Sequence, residues 1–297
     1  MNFKHLFLSL SLFLLTTFIS KPSSAQALDS ILVDSIRNYE FRLMGLSREM
    51  VSSFDELTRI SSGKSFIINL SRALRIPNSY FYPFDSVKHI IILKSPDDLF
   101  RIMTWNVATN DEKFRYFGVI QMNPLKLEKM KDKDWYKSFY PLIDRSDSIN
   151  SNTYLFTETD ANHWYGAAYY KIIKTSYKKK DYYTLLGWDG ADRTRNKKIA
   201  EILFFRDGSP YFGAPLFDMK KKRPFSRLVY EFNNQASMGL RYDDKQKLLL
   251  IENIVPDKPA NAGNFEFYYP DGSFDALSWK NGKWEKQKGI IENPNAK

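Results

Sequence analysis

The sequence predicts an α+β fold in which a helical N-terminal cap is followed by a mainly antiparallel β body. Three observations predict it. Apolar residues from Leu28 to Leu74 recur with helical spacing, whereas after Pro77 the apolar and aromatic runs are short and separated by turn residues. Asp207-Gly208, Asp271-Gly272 and Asn281-Gly282 lie between or beside those runs, where tight hairpins require positive φ. A β-propeller is the alternative architecture.

The chain opens with Met1-Asn2-Phe3-Lys4-His5, an apolar run from Leu6 to Ile19, and a small-residue stretch ending Ala25-Gln26-Ala27. That order of basic, apolar and small segments is a secretory signal peptide, with cleavage expected after Ala27. The run is 14 residues long, short of the roughly 17 to 25 that span a bilayer. The expected localisation is therefore export, to a bacterial periplasm or cell surface, with no transmembrane segment left after cleavage. Residues 1–27 are read as signal peptide, 28–76 as helical cap and 77–297 as β-rich body, the last two forming one globular unit.

Three amphipathic helices are expected in the cap. Leu28, Ile31, Leu32, Ile36, Tyr39 and Leu43 make the first face, with Gly45 as its stop. Ser47 opens a second carrying Met50, Val51, Phe54 and Leu57. After Ser61-Ser62-Gly63 a third carries Phe66, Ile67, Leu70, Ala73 and Leu74. Expected strands then cover 88–93, 99–107, 114–122, 165–174, 182–188, 198–206, 226–233, 237–242, 247–254, 264–269, 273–279 and 283–287. The charged stretch from Pro124 to Tyr136 reads as helical or irregular, and Ser146 to Asn152 as a polar loop. Pro96-Asp97…Phe100…Trp105 is echoed by Pro270-Asp271…Phe274…Trp279, a spacing of 174 residues that would hold four units of propeller-blade size.

Composition excludes several chemistries. With no cysteine in the chain, catalytic thiols, thiolate zinc sites and iron–sulfur clusters are impossible, and stability must come from a core rather than disulfides. Loss of residues 1–27 would leave 42 basic against 34 acidic residues, a net charge of +8. Such a field favours anionic neighbours, an acidic glycan or envelope component in an exported protein, without any motif for specific nucleic-acid binding. Lys178-Lys179-Lys180, Lys197-Lys198 and Lys220-Lys221-Lys222-Arg223 lie between apolar segments, as charged turn tips do. Gly63-Lys64-Ser65 lacks the first glycine of a phosphate loop, position 58 being Thr58, and follows a helix instead of a strand. No G-x-S-x-G elbow occurs, and no cofactor is implied.

Beyond residue 27 the chain has two histidines, His89 and His163. His163 lies in the polar cluster Glu158-Thr159-Asp160-Ala161-Asn162-His163, ahead of Trp164-Tyr165. If strands 165–174 and 182–188 pair around Lys178-Lys179-Lys180, their far ends meet, because residues equidistant from a hairpin turn lie opposite one another. Glu158, Asp160, His163, Trp164, Trp188 and Asp189 are accordingly the candidate ligand-binding residues, at an aromatic and acidic lip. The turn from Trp188 to Arg193 lacks the twelfth-position glutamate of a calcium loop. Aromatic residues make up 16% of the chain and serve both β cores and binding surfaces.

Ser95-Pro96-Asp97 with Arg101-Ile102-Met103-Thr104-Trp105-Asn106, Trp164-Tyr165-Gly166, Leu185-Leu186-Gly187-Trp188-Asp189-Gly190 and Tyr269-Pro270-Asp271-Gly272-Ser273-Phe274-Asp275 together resemble a family of uncharacterised exported bacterial proteins. The resemblance runs from about Ser95 to Trp284 and implies compartment only, since the family has no known activity. Two functions fit these readings. The first is a non-enzymatic exported protein that binds a partner or ligand through its β body. The second is a carboxylate-dependent glycan hydrolase using two of Glu158, Asp189, Glu231 and Glu252, since that chemistry needs one acid and one base or nucleophile at a set separation.

Overall fold

The computed structural model describes residues 30–148, 153–287 and 291–292. The expected signal peptide lies outside the described residues. The cap is a hairpin of two long helices, α1 (Ser30–Ser52) and α2 (Glu56–Leu74). They are parted where Asp55 caps α2, its carboxylate accepting from the Thr58 amide at 2.8 Å.

The helices pass straight through Gly45 and Ser61-Ser62-Gly63, which the sequence reading took as stops. A mid-helix glycine costs only about 1 kcal/mol relative to alanine, and burial outweighs it. An added Cβ at Gly63 would lie 3.5 Å from Val107 and 3.6 Å from Met50, ordinary packing distances where α2 crosses the sheet. Ser62 Oγ donates to Glu49 of α1 at 2.6 Å. Of the expected stripe of Met50, Val51, Phe54 and Leu57, Met50 is buried, while the other three are solvent-exposed, Phe54 wholly so, because the interhelical turn projects them.

Sixteen strands follow in the described residues, with a single-turn helix α3 (Pro124–Leu127) among them. They are β1 (Ile91–Lys94), β2 (Phe100–Ala108), β3 (Phe114–Met122), β4 (Phe139–Ile143), β5 (Thr159–Asp160), β6 (Ala168–Tyr177), β7 (Lys180–Asp189) and β8 (Arg195–Arg206), then β9 (Ser209–Phe212), β10 (Phe217–Asp218), β11 (Arg227–Asn233), β12 (Leu240–Asp243), β13 (Leu248–Pro256), β14 (Tyr268–Lys280), β15 (Lys283–Lys286) and β16 (Ile291–Glu292). Three sheets result. The first runs β1-β2-β3-β4, the second β5-β9-β8-β7-β6 with β11 on β8, and the third β10-β15-β14-β13-β12 with β16 on β14. Their strand pairs are antiparallel except β10 with β15.

The buried clusters show how the layers stack. Ile36, Leu43, Phe66 and Leu70 of the helices pack on Met103, Trp105 and Val107 of the first sheet. Phe100, Ile102 and Ile120 of that sheet's other face meet Leu185, Ile199 and Leu203 of the second. Leu186, Ala200 and Ile202, on the opposite face of the second sheet, pack on Leu249, Ile251 and Leu277 of the third. The order is helices, sheet, sheet, sheet. Strands in the two middle layers are covered on both faces, so β2 is buried along nearly its whole length and β8 through Ile199 to Leu203, polar residues included, instead of alternating.

The α+β reading holds, and no propeller is formed: the sheets stack face to face. Of the echoed Pro-Asp motifs, Pro96-Asp97 lies in the turn leading into β2 and Pro270-Asp271 inside β14, strands of different sheets. Asp207-Gly208 and Asn281-Gly282 make two-residue hairpin turns with both residues at positive φ, joining Arg206 to Ser209 and Lys280 to Lys283. Asp271-Gly272 makes no hairpin. It lies inside β14, where the register against β13 shifts between Glu252 and Ile254, and this bulge takes up the positive φ of Gly272. Segment 264–269, expected as a strand, begins as a 3-10 turn over Phe265–Phe267. β4 escaped notice because Pro141 interrupts it; an edge strand of a sheet tolerates proline.

Candidate functional site

The register of the first sheet builds a floor beneath α2. Trp105 pairs with Phe117, and Phe117 with Ile143, giving one row across β2, β3 and β4; Met103, Val119 and Pro141 give the row before it. With the period of two along a strand, these side chains share the face turned to the helices. Ile67, Leu70, Ser71 and Leu74 of α2 form the opposite wall, leaving a cleft of about 600 Å³. That volume lies within the range of small-molecule sites.

Trp105 anchors the floor, stacked on Phe117 at 5.9 Å between ring centroids and edge-on to Phe66 at 5.0 Å. Its ring is 3% exposed, yet Nε1 has no hydrogen-bond partner. A buried donor without an acceptor costs about 1–3 kcal/mol. Arg115, Arg145, Asp144, Asp147 and Ser148 stand at the end of the cleft. Asp144 Oδ1 accepts from the Ser146 amide and hydroxyl at 2.9 and 2.7 Å, and Oδ2 from the Tyr116 amide at 3.0 Å. Burial raises its carboxyl above the ordinary aspartate range despite these bonds. Among the described residues, neither Arg115 nor Arg145 carries an ion-pair partner.

The six residues singled out from sequence fall in two places. Glu158, Asp160 and His163 line a second groove of about 450 Å³, with Tyr211 and Thr159. Glu158 is paired with Arg206 at 2.7 Å, and the Arg206 guanidinium lies over the Tyr211 ring. Asp160 accepts from the Asn162 amide and contacts His163 Nδ1 at 2.8 Å. Burial alone would raise the Asp160 carboxyl, but His163 and that amide hold it below its ordinary value.

Trp164, Trp188 and Asp189 do not line this groove. Trp164 is fully buried, its Nε1 donating to the Tyr169 hydroxyl at 2.7 Å. Trp188 is half-buried against Phe114, and Asp189 is buried. The hairpin turns where expected, with Tyr177 opposite Lys180 and the far ends meeting, but Ala168 is the residue opposite Trp188. A bulge between Tyr169 and Lys171 shifts the register, the ladder runs on to Ala168 opposite Trp188, and a left-handed Gly166 lies beyond its end; Trp164 bridges to Asp144 instead. The ring expected at an open lip is core.

Asp189, Lys197 and Glu231 stand side by side across β7, β8 and β11, Lys197 Nζ lying 3.8 Å from Asp189 and 3.7 Å from Glu231. Asp189 also accepts from the Ala191 amide at 2.9 Å, and burial raises its carboxyl although Lys197 opposes the shift. Glu231 is further bound by Arg195 at 3.0 Å. Glu252 lies in the third sheet, accepting from the Gly239 amide at 2.6 Å. The four carboxylates considered for hydrolysis are thus each bonded to a cation or an amide, and neither groove gathers two of them.

Sequence reasoning missed the cleft. Arg115, Phe117 and Val119 share a face by strict alternation, as do Ile143 and Arg145, and this much is visible in the sequence; the pairing that joins them is not. Ile67, Leu70 and Leu74 look like any core stripe.

The fold and the cleft define an α+β protein of stacked antiparallel sheets with an apolar groove open beneath its helical cap. No family model matches the chain, and no curated protein matches it either.

Proposed function

We propose that the chain is a non-enzymatic binding protein that holds the apolar chain of a small amphiphile in the cleft between α2 and the first sheet. The observation that carries this reading is the cleft itself, about 600 Å³ with an apolar floor and a buried, unpartnered indole N–H. Its polar groups, Arg115, Arg145, Asp144, Asp147 and Ser148 among them, stand around apolar walls, the usual composition of a ligand site. The half-buried carboxylate of Asp144 has both oxygens occupied by Ser146 and Tyr116.

Export belongs to the same proposal. The N-terminal signal pattern and the resemblance to exported bacterial proteins support action in the periplasm or at the cell surface, where an amphiphile would be an envelope component. No helix among the described residues is long and apolar enough to cross a membrane. The carboxylates of the glycan-hydrolase reading are bonded elsewhere, which favours binding over hydrolysis.

Fluorescence titration of the purified chain with N-phenyl-1-naphthylamine, an uncharged apolar dye, tests the reading. Saturable enhancement that is abolished in Ser71→Trp, where the indole fills the cleft, supports it. Equal enhancement in both proteins would place the dye elsewhere and refute it.

A further inference from the structure

Two arginines line the same cleft. The β3–β4 ladder ends at the pair of Phe117 with Ile143, and Arg115 and Arg145 each lie two residues beyond it along their segments. Both lie on the face that carries Trp105, Phe117 and Ile143, both line the cleft, and both side chains are exposed. Like charges lining one cleft repel, and an opposite charge between them would offset the repulsion. Here the nearby carboxylates do not serve. Asp144 points its oxygens to Ser146 and the Tyr116 amide, and Asp147 makes no ion pair among the described residues.

Resting on the reading of the cleft as an amphiphile site, we infer that its ligand is anionic, a single-chain amphiphile whose carboxylate or phosphate head lies between Arg115 and Arg145. Guanidinium forks match both groups in planar, two-point hydrogen bonds. The apolar rows of Trp105 and Met103 take the chain, leading away from the charged end. One shared chemistry, an oxyanion on an alkyl chain, satisfies the two unpaired cations and the apolar floor together.

Calorimetric titration of the purified chain with decanoate, decyl phosphate, decanol and decyltrimethylammonium separates the head group from the chain. Decanoate or decyl phosphate is expected to bind at least tenfold more tightly than decanol, and decyltrimethylammonium more weakly than decanol. The larger gain of the two anions identifies the head. In Arg115→Gln/Arg145→Gln the anions should fall tenfold or more, to the level of decanol, with decanol unchanged; both positions are exposed, so folding should be untouched. Raising NaCl from 0.1 to about 1 M should erode the preference in the parent protein, since exposed charges are screened. Equal affinity for decanol and the anions, or an anion preference that survives the double substitution, would overturn the head-group inference and leave the cleft reading standing. Failure of all four to bind would overturn the cleft reading itself.

Discussion

Glu201 and Arg227 are paired at 3.2 Å with neither side chain exposed to solvent. They are opposite residues on β8 and β11, facing the first sheet. The charges are tolerated because their remaining valences are filled. Glu201 accepts from the Tyr169 hydroxyl, which accepts in turn from Trp164, and Arg227 donates to the carbonyls of Tyr154 and Thr157.

Removing one partner leaves an uncompensated buried charge, which costs about 3–5 kcal/mol, whereas replacing both with apolar residues of like volume is often close to neutral. Arg227→Met is expected to lose that amount in urea unfolding, and Glu201→Leu/Arg227→Met to regain most of it. A single substitution costing less than about 1 kcal/mol would show that the pair does not hold the second sheet together.

The β6–β7 hairpin turns on two lysines, Lys178 and Lys179, at φ of 49° and 63°. Left-handed backbone costs a side-chain-bearing residue roughly 1–2 kcal/mol, and turns of this kind favour Asn-Gly. Lys178→Asn/Lys179→Gly should raise stability by about 1 kcal/mol and the melting temperature with it. A lowered melting temperature would mean that these lysines make contacts worth more than the strain.

Burial would raise the Asp192 carboxyl, but hydrogen bonds from Arg195 and the Thr194 amide hold it down to about 2. Its folded value lies below the ordinary aspartate value near 3.8, so its contribution to stability is present above about pH 4 and is lost as pH falls towards 2. Partial exposure reduces the effect to about 1 kcal/mol. Asp192→Asn should be less stable than the parent at pH 6 by that amount, with the two converging by pH 2. A constant difference across the range would exclude the linkage.

Trp105→Phe keeps the stacking on Phe117 and Phe66 while deleting the orphan N–H. Relief of the unpaired donor, about 1–3 kcal/mol, offsets lost packing. Thermal denaturation should move by less than about 1 kcal/mol equivalent. A large loss of stability would mean that Nε1 is bonded in the protein.

Legibility followed the range of the interaction. Hairpins at Asp207-Gly208, Asn281-Gly282 and Lys178-Lys179 were readable because the turn and its flanking residues are neighbours in sequence. Gly45 and Gly63 misled because helix continuation there is decided by the burial of flanking residues such as Leu43, Met50 and Phe66 against the first sheet, which no local signal reports. In the candidate site, Glu158, Asp160 and His163 were found together because they are five residues apart. Asp189 stayed apart from them because the β6–β7 ladder ends at Ala168 opposite Trp188, and Trp164 bridges to Asp144. Arg115 and Arg145, thirty residues apart, line one cleft only through the pairing of an edge strand that Pro141 disguised.

The most direct test of the cleft is where an alkyl chain binds. Paramagnetic broadening of assigned methyl resonances by nitroxide-labelled stearate reports position without relying on activity. The methyls of Ile67, Leu70, Leu74, Leu142 and Ile143, all lining the cleft, should broaden first and recover on nitroxide reduction. Broadening centred instead on Ile31, Leu57 and Ile68, the exposed apolar side chains of the helices, or no broadening at all, would contradict a binding site beneath α2.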